Sequence, residues 1–259
     1  MSVIKLQPHK IPGIKKIIGV TSGKGGVGKT FISTNLAYQL AKNGLKVGLL
    51  DADVNFPDVF SFFGINTRII PAHDNKLTPI EKYGVKVMSM AGLLEKADDP
   101  TMWRGTITSK IIQQLTKETV WGELDVLLID FPTGLADHVI HTLQTLFIDG
   151  TIVVTTPDQQ ALQNTRRIFK AHNMLDIPIL GVIENMRGEV FGDGHTQRLC
   201  EFFSLPLLAS IPLKRAFLSA TEQGRPAVID SDELTIIMSK MTRYLTEKHL
   251  SPMAQLDVQ

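Results

Sequence analysis

The octapeptide Gly23-Lys24-Gly25-Gly26-Val27-Gly28-Lys29-Thr30 constrains this chain more than any other segment. It satisfies the pattern G-x-x-x-x-G-K-[ST], follows an apolar run at 17–21, and opens a stretch with helical spacing over 29–43. A strand, a glycine-rich loop and a helix in that order hold phosphate, because the glycines let successive N–H groups face one ligand and the helix N-terminus adds partial positive charge. All eight residues are therefore candidate nucleotide-binding residues. Lys29 would reach the terminal phosphates, and Thr30 would offer a hydroxyl to Mg²⁺. Lys24 is one lysine more than such a loop requires.

The rest of the chain repeats the same alternation. Short runs rich in β-branched and other apolar residues, at 17–21, 47–51, 85–90, 126–130, 151–155, 179–183 and 207–211, read as buried strands bounded by Gly, Pro or Asp. Helical spacing at 29–43, 109–118, 136–147, 159–173, 196–203 and 232–249 separates or follows them. The predicted fold class is α/β, a P-loop NTPase-type three-layer αβα arrangement with a mostly parallel sheet and helices on both faces, its ligand at the C-terminal strand ends. The domain division that follows is an irregular lead-in over 1–13, one ATPase domain over 14–250 and a tail over 251–259. With 43% hydrophobic and 20% charged residues the chain can bury a large core, and a net charge of +1 provides no general field for nucleic acid or an anionic membrane. Neither is expected as a partner. One cysteine, no secretory signal pattern and no apolar run of about 20 residues point to the cytoplasm.

Carboxylates occur where a phosphate loop needs them. Asp130 closes the apolar run LDVLLID, the pattern of a strand-end carboxylate that holds Mg²⁺ through water. Asp51 and Asp53 end the second predicted strand, one suited to the metal shell and the other to orienting an attacking water. Thr30, Asp51 and Asp130 form the candidate metal set, and Lys24, Lys29 and Asp53 the candidate catalytic set.

These residues carry a resemblance. SGKGGVGKT, with lysine directly after the first glycine, resembles the deviant Walker A loop of the ParA/MinD/nitrogenase-iron-protein class. Within that class the segments DADVNFPD, MWRG, WGELDVLLIDFPTGLAD, VVTTPDQQAL, ILGVIENM, LPLLASIPL and EQGRP are similar, in order, to those of the Mrp/ApbC group of iron–sulfur cluster carriers. The resemblance implies an ATP- and Mg²⁺-dependent hydrolase that forms a nucleotide-dependent homodimer and serves iron–sulfur client or assembly proteins. It implies that Lys24 reaches across the dimer to the partner's nucleotide, as an arginine finger does. It also implies that Asp53 lies in switch I, that 130–137 forms switch II, and that Asn185 and Pro212 surround the adenine. The alternative is a MinD/ParA-type positioning switch that binds membrane, DNA or a partner protein in its ATP state.

The sequence departs from the group in two places. The C-x-x-C pair that binds the shared cluster is absent after ENM, and Cys200 lies instead inside a predicted helix, so no residue is assigned to an iron–sulfur cluster. The switches carry Phe56 and Asp58 where the group usually has a glycine and a small hydroxyl residue, then Thr133, Leu135 and Ala136 in place of a proline, a threonine and a glycine, and the bulk at Phe56 and Leu135 is expected to slow hydrolysis.

Overall fold

The computed structural model describes residues 8–71, 76–94 and 106–250. Its centre is an eight-stranded sheet of β1 (Ile14–Thr21), β2 (Val47–Asp51), β3 (Ile80–Lys82), β4 (Val85–Met88), β5 (Leu124–Asp130), β6 (Gly150–Thr155), β7 (Ile179–Arg187) and β8 (Leu207–Pro212). The spatial order is β3-β4-β2-β5-β1-β6-β7-β8, and every neighbouring pair is parallel except β3 with β4. β2 and β6 are buried at every position, as strands covered on both faces must be. Their sequences, VGLLD and GTIVVT, are accordingly near-continuous apolar runs with no alternation.

The helices are α1 (Lys29–Lys42), α2 (Val59–Phe62), α3 (Thr106–Lys117), α4 (Asp137–Thr145), α5 (Gln159–Met174), α6 (His195–Phe203), α7 (Arg215–Glu222) and α8 (Asp232–Leu245). Alternate residues of β6 face different layers: Ile152 and Val154 join the main core with Ile32 and Leu36 of α1. Val153 instead packs with Ile168 and Phe169 of α5 and with Leu199 and Cys200 of α6. This is the three-layer αβα arrangement, and the main hydrophobic cluster runs from Ile11 to Leu245.

α1 is buried nearly all round, which explains its weak amphipathic signal and its need for polar partners. Asn35 Oδ1 accepts from the Val228 N–H at 2.8 Å, Gln39 Nε2 donates to Ser239 Oγ at 3.3 Å, and Asn43 Nδ2 donates to Thr242 Oγ1 at 3.1 Å. The helix that leaves the phosphate loop is thus held by α8 and by the turn before it. The axis of the site is thereby fixed.

Several boundaries differ from the sequence expectation. The strand expected over 85–90 stops at Met88, and Met90–Gly92 winds into a 3₁₀ turn whose first amide region is capped by Ser89. The final helix ends at Leu245 and continues as a π turn over Thr246–Leu250. β3, α2 and α7 were not expected; each has eight residues or fewer, too short to establish a period. Residues 1–7, the MWRG segment and the tail 251–259 lie outside the described residues.

Candidate functional site

The phosphate loop leaves β1 at the middle of the sheet, where the chain turns towards β2 on one side and β6 lies on the other. Ligands of open α/β sheets bind at such a switch in strand order. Gly28 has φ +87° and Gly26 φ +76°, backbone conformations that side-chain-bearing residues rarely adopt. Close approach adds a second requirement: a Cβ on Gly28 would lie 2.4 Å from Asn185 Nδ2, and one on Gly23 would lie 2.6 Å from the backbone of Asn164 in α5. Asn185 Nδ2 donates to the Val27 carbonyl at 2.9 Å, so the loop is braced from β7. The Gly134 N–H donates to the Ser22 carbonyl at 2.9 Å, which ties the loop to the segment after β5.

The strand-end carboxylates converge on the loop. Asp51 and Asp130 are register partners in the β2–β5 pairing and both are buried. Asp130 accepts from Thr30 Oγ1 at 2.7 Å and from Ser33 Oγ at 2.8 Å. Asp51 accepts from the Asp53 and Val59 N–H groups at 3.1 Å each and from Ser89 Oγ at 3.0 Å. Burial, followed by the Asp130 charge, pushes the Asp51 carboxyl well above the usual carboxylate range; burial also raises Asp130, against the pull of Lys29 and of the two hydroxyls. Two neighbouring buried carboxylates beside a threonine hydroxyl form an all-oxygen set with excess negative charge, which fits a small hard cation such as Mg²⁺.

Around them lies a cavity of about 300 Å³ lined by Lys29, Thr30, Asp51, Asp53, Asp58 and Asp130. Asp53 Oδ1 accepts from the Phe56 N–H at 3.1 Å, and Phe56 itself is 78% exposed. Lys29 Nζ donates to Thr133 Oγ1 at 3.2 Å. A second cavity of about 280 Å³ shares Gly28, Phe31 and Phe62 with the first and is lined further by Asn185, Met186, Pro212 and Phe217. It is apolar, with the rings of Phe31 and Phe217 stacked at 6.1 Å. A charged cavity continuous with an apolar one suits a ligand with phosphates at one end and a flat base at the other.

The structure therefore brings Gly23–Thr30, Asp51, Asp53, Asp130, Asn185 and Pro212 to one end of the sheet. Ser33, Ser89 and Thr133 hold them there; the sequence singled out Thr133 only as a departure in switch II, and Ser33 and Ser89 were missed. Ser33 stands one turn beyond Lys29 and could have been found by helical spacing; Ser89 has no sequence signal, since its strand is joined to Asp51 only through the sheet. Lys24 is the exception to the convergence. Its Nζ lies 3.3 Å from Asp158 Oδ1 of its own chain.

The connection after β7, where the carrier pattern has its C-x-x-C pair, is a short turn in which Gly188 and Gly192 exchange backbone hydrogen bonds of 3.1 and 2.7 Å. Cys200 follows in α6, 1% exposed, and burial pushes its thiol up to about 12, helped by the charges of Glu184 and Glu201. Among the described residues no group of three or more His, Cys, Asp or Glu could hold a metal ion.

Residues 13–248 match the family of ParA-type proteins described as the NUBPL iron-transfer P-loop NTPases. The chain belongs to this family. It is similar to an iron–sulfur cluster carrier protein of Aquifex aeolicus, 38% identical over 231 residues that make up 85% of this chain and 64% of the relative. A carrier of the same description from Deinococcus radiodurans is 39% identical over 86% of this chain and 66% of its own length. The Arabidopsis thaliana iron–sulfur protein required for NADH dehydrogenase is 39% identical over 86% and 74%. The chain thus spans slightly less than two thirds of the two bacterial relatives. Among solved structures, a nucleotide-binding protein from Archaeoglobus fulgidus in complex with ADP superposes with a TM-score of 0.75 at 29% identity, covering 87% of this chain and 93% of that one. The cell division ATPase MinD of Pyrococcus furiosus gives 0.68 at 23% identity, covering 90% and 98%, a likeness of fold alone.

Proposed function

We propose that this member of the NUBPL family is a Mg²⁺-dependent ATPase that pairs with a second copy of itself around nucleotide and serves iron–sulfur cluster assembly without offering a C-x-x-C site of its own. The observation that carries the reading is the register pairing of Asp51 with Asp130 beside Thr30, within a phosphate cavity that opens into an apolar pocket. The relatives named as cluster carriers support the iron–sulfur part, and the ADP-bound neighbour supports the nucleotide.

In this reading the loop N–H groups and Lys29 hold the β- and γ-phosphates, and Phe31, Pro212 and Asn185 hold the base. Asn185 spends its Nδ2 on the Val27 carbonyl, so its Oδ1 is the atom left to accept from an exocyclic amine. Thr30, Asp51 and Asp130 would hold Mg²⁺, which when bound offsets phosphate charge. Asp53 orients the attacking water in line with the γ-phosphoryl group, and Lys24 supplied by a second copy stabilises charge on the group in transfer. The exposed Phe56 in switch I stiffens a segment that must move, which makes turnover slow. Calorimetry with ATP and ADP, followed by phosphate release from wild type, Lys29→Ala, Lys24→Ala and Asp53→Ala, tests the reading. Hydrolysis by wild type no faster than by the three variants overturns it.

A further inference from the structure

We infer that Asp158 is a positioning residue for Lys24: it holds the lysine within its own subunit, and release from Asp158 is the step that lets Lys24 act on a second copy. The inference rests on the trans role given to Lys24 above and concerns what that lysine does in the unpaired chain.

The contact is built from two rigid parts. Asp158 is the N-cap of α5, where its Oδ1 accepts from the Ala161 N–H at 3.0 Å and its Oδ2 from Thr156 Oγ1 at 2.5 Å. Lys24 follows Gly23, where an added Cβ would lie 2.6 Å from the backbone of Asn164 of the same helix, so the loop runs close against α5. The phosphate loop and the start of α5 therefore keep one relative position, and Lys24 Nζ meets a carboxylate already aimed at it, 3.3 Å away. The side chains are 33% and 24% exposed, a setting in which an ion pair is weak enough to exchange. Departure of Lys24 leaves Asp158 with both remaining donors, so no buried acceptor is stranded and the cost of release stays low.

Lysine in this loop thus has two alternative anions, Asp158 in cis and the partner's phosphates in trans. Competition between them sets the protein concentration at which ATP drives pairing. Because each dimer releases two such contacts, removing the carboxylate should lower the half-dimerisation concentration by roughly two- to twenty-fold.

Asp158→Asn is the informative variant, since asparagine caps a helix as well as aspartate does and its Oδ1 can keep the Ala161 N–H, while the charge and the acceptor for Thr156 Oγ1 are lost. Sedimentation of the full chain in ATP and Mg²⁺ should show Asp158→Asn dimerising at several-fold lower concentration than wild type. Its ATPase should be faster in dilute solution and equal to wild type at saturating protein concentration. Competitive acylation of the nucleotide-free chain should label Lys24 faster in Asp158→Asn than in wild type. Lys24→Ala with Asp158→Asn should behave as Lys24→Ala alone. Unchanged dimerisation and unchanged labelling in Asp158→Asn would overturn the inference and leave Asp158 as a helix cap. Weaker dimerisation would overturn it too, by giving Asp158 a supporting role in trans. If wild type does not pair in ATP and Lys24→Ala hydrolyses normally, the underlying reading fails instead, whatever the labelling of Lys24 reports about the cis contact.

Discussion

Two glycine-rich turns in this protein have nearly the same backbone conformation and opposite surroundings. Gly28 in the phosphate loop has φ +87°, and Gly192 in the turn after β7 has φ +88°. A Cβ on Gly28 would meet Asn185 at 2.4 Å, whereas one on Gly192 would meet nothing within 4 Å. In the first turn the main chain is pinned from β7, α5 and the segment after β5, and charged side chains converge on it; in the second the glycines bond only to each other across the turn. Glycine content alone does not make a site. Convergence of neighbouring elements on the open backbone does.

The comparison is tested most strongly through Lys29. Lys29→Ala should weaken ATP binding about 100-fold, the scale of lost hydrogen bonds to a charged group, whereas Glu189→Ala in the second turn should leave calorimetric affinity unchanged. A loss of affinity in Glu189→Ala would break the comparison. Next comes the glycine pair itself: Gly28→Ala should cost about 3 kcal/mol by urea denaturation, from left-handed strain and the clash with Asn185 together, and Gly192→Ala about 1 kcal/mol from strain alone. Equal costs would mean that the brace from β7 contributes nothing. Asn185→Ala should cost about 1–2 kcal/mol of stability through the unpaired Val27 carbonyl, together with weaker nucleotide binding.

The smallest effect at neutral pH belongs to Cys200. Its folded-state pKa of about 12 lies above the ordinary thiol value, so the fold favours the protonated thiol. The contribution to stability is complete below about pH 8.5 and is lost as pH rises towards 12. Alkaline denaturation should therefore be shallower in Cys200→Ala than in wild type, and native Cys200 should resist iodoacetamide at pH 8. Anaerobic reconstitution with iron and sulfide should give the same spectrum for both proteins. A charge-transfer band lost in Cys200→Ala would instead give Cys200 in α6 a role in holding a cluster.

The phosphate loop was legible because its function is local. Gly23 to Thr30 are contiguous, and the strand before them and helix after them announce themselves by period. Asp51 and Asp130 were legible one at a time, as strand-end acids, but their adjacency depends on β2 lying next to β5, which no spacing encodes. The apolar pocket was less visible. Phe31 and Phe217 are 186 positions apart in the numbering and meet only because α7, itself too short to predict, folds back over α1.

The sequence by itself determined the class of fold and the glycine-rich loop that joins β1 to α1, since period, turn chemistry and one short motif act over a few neighbouring positions. It also determined that the family's paired cysteines are absent. Tertiary structure alone decided which acids share a cavity, that Cys200 is packed between α6 and the sheet, and that Lys24 rests on Asp158. Each of these depends on how distant strands are ordered and which helix covers which face. That order is set by burying the whole apolar surface at once, a global balance that short-range sequence patterns do not contain.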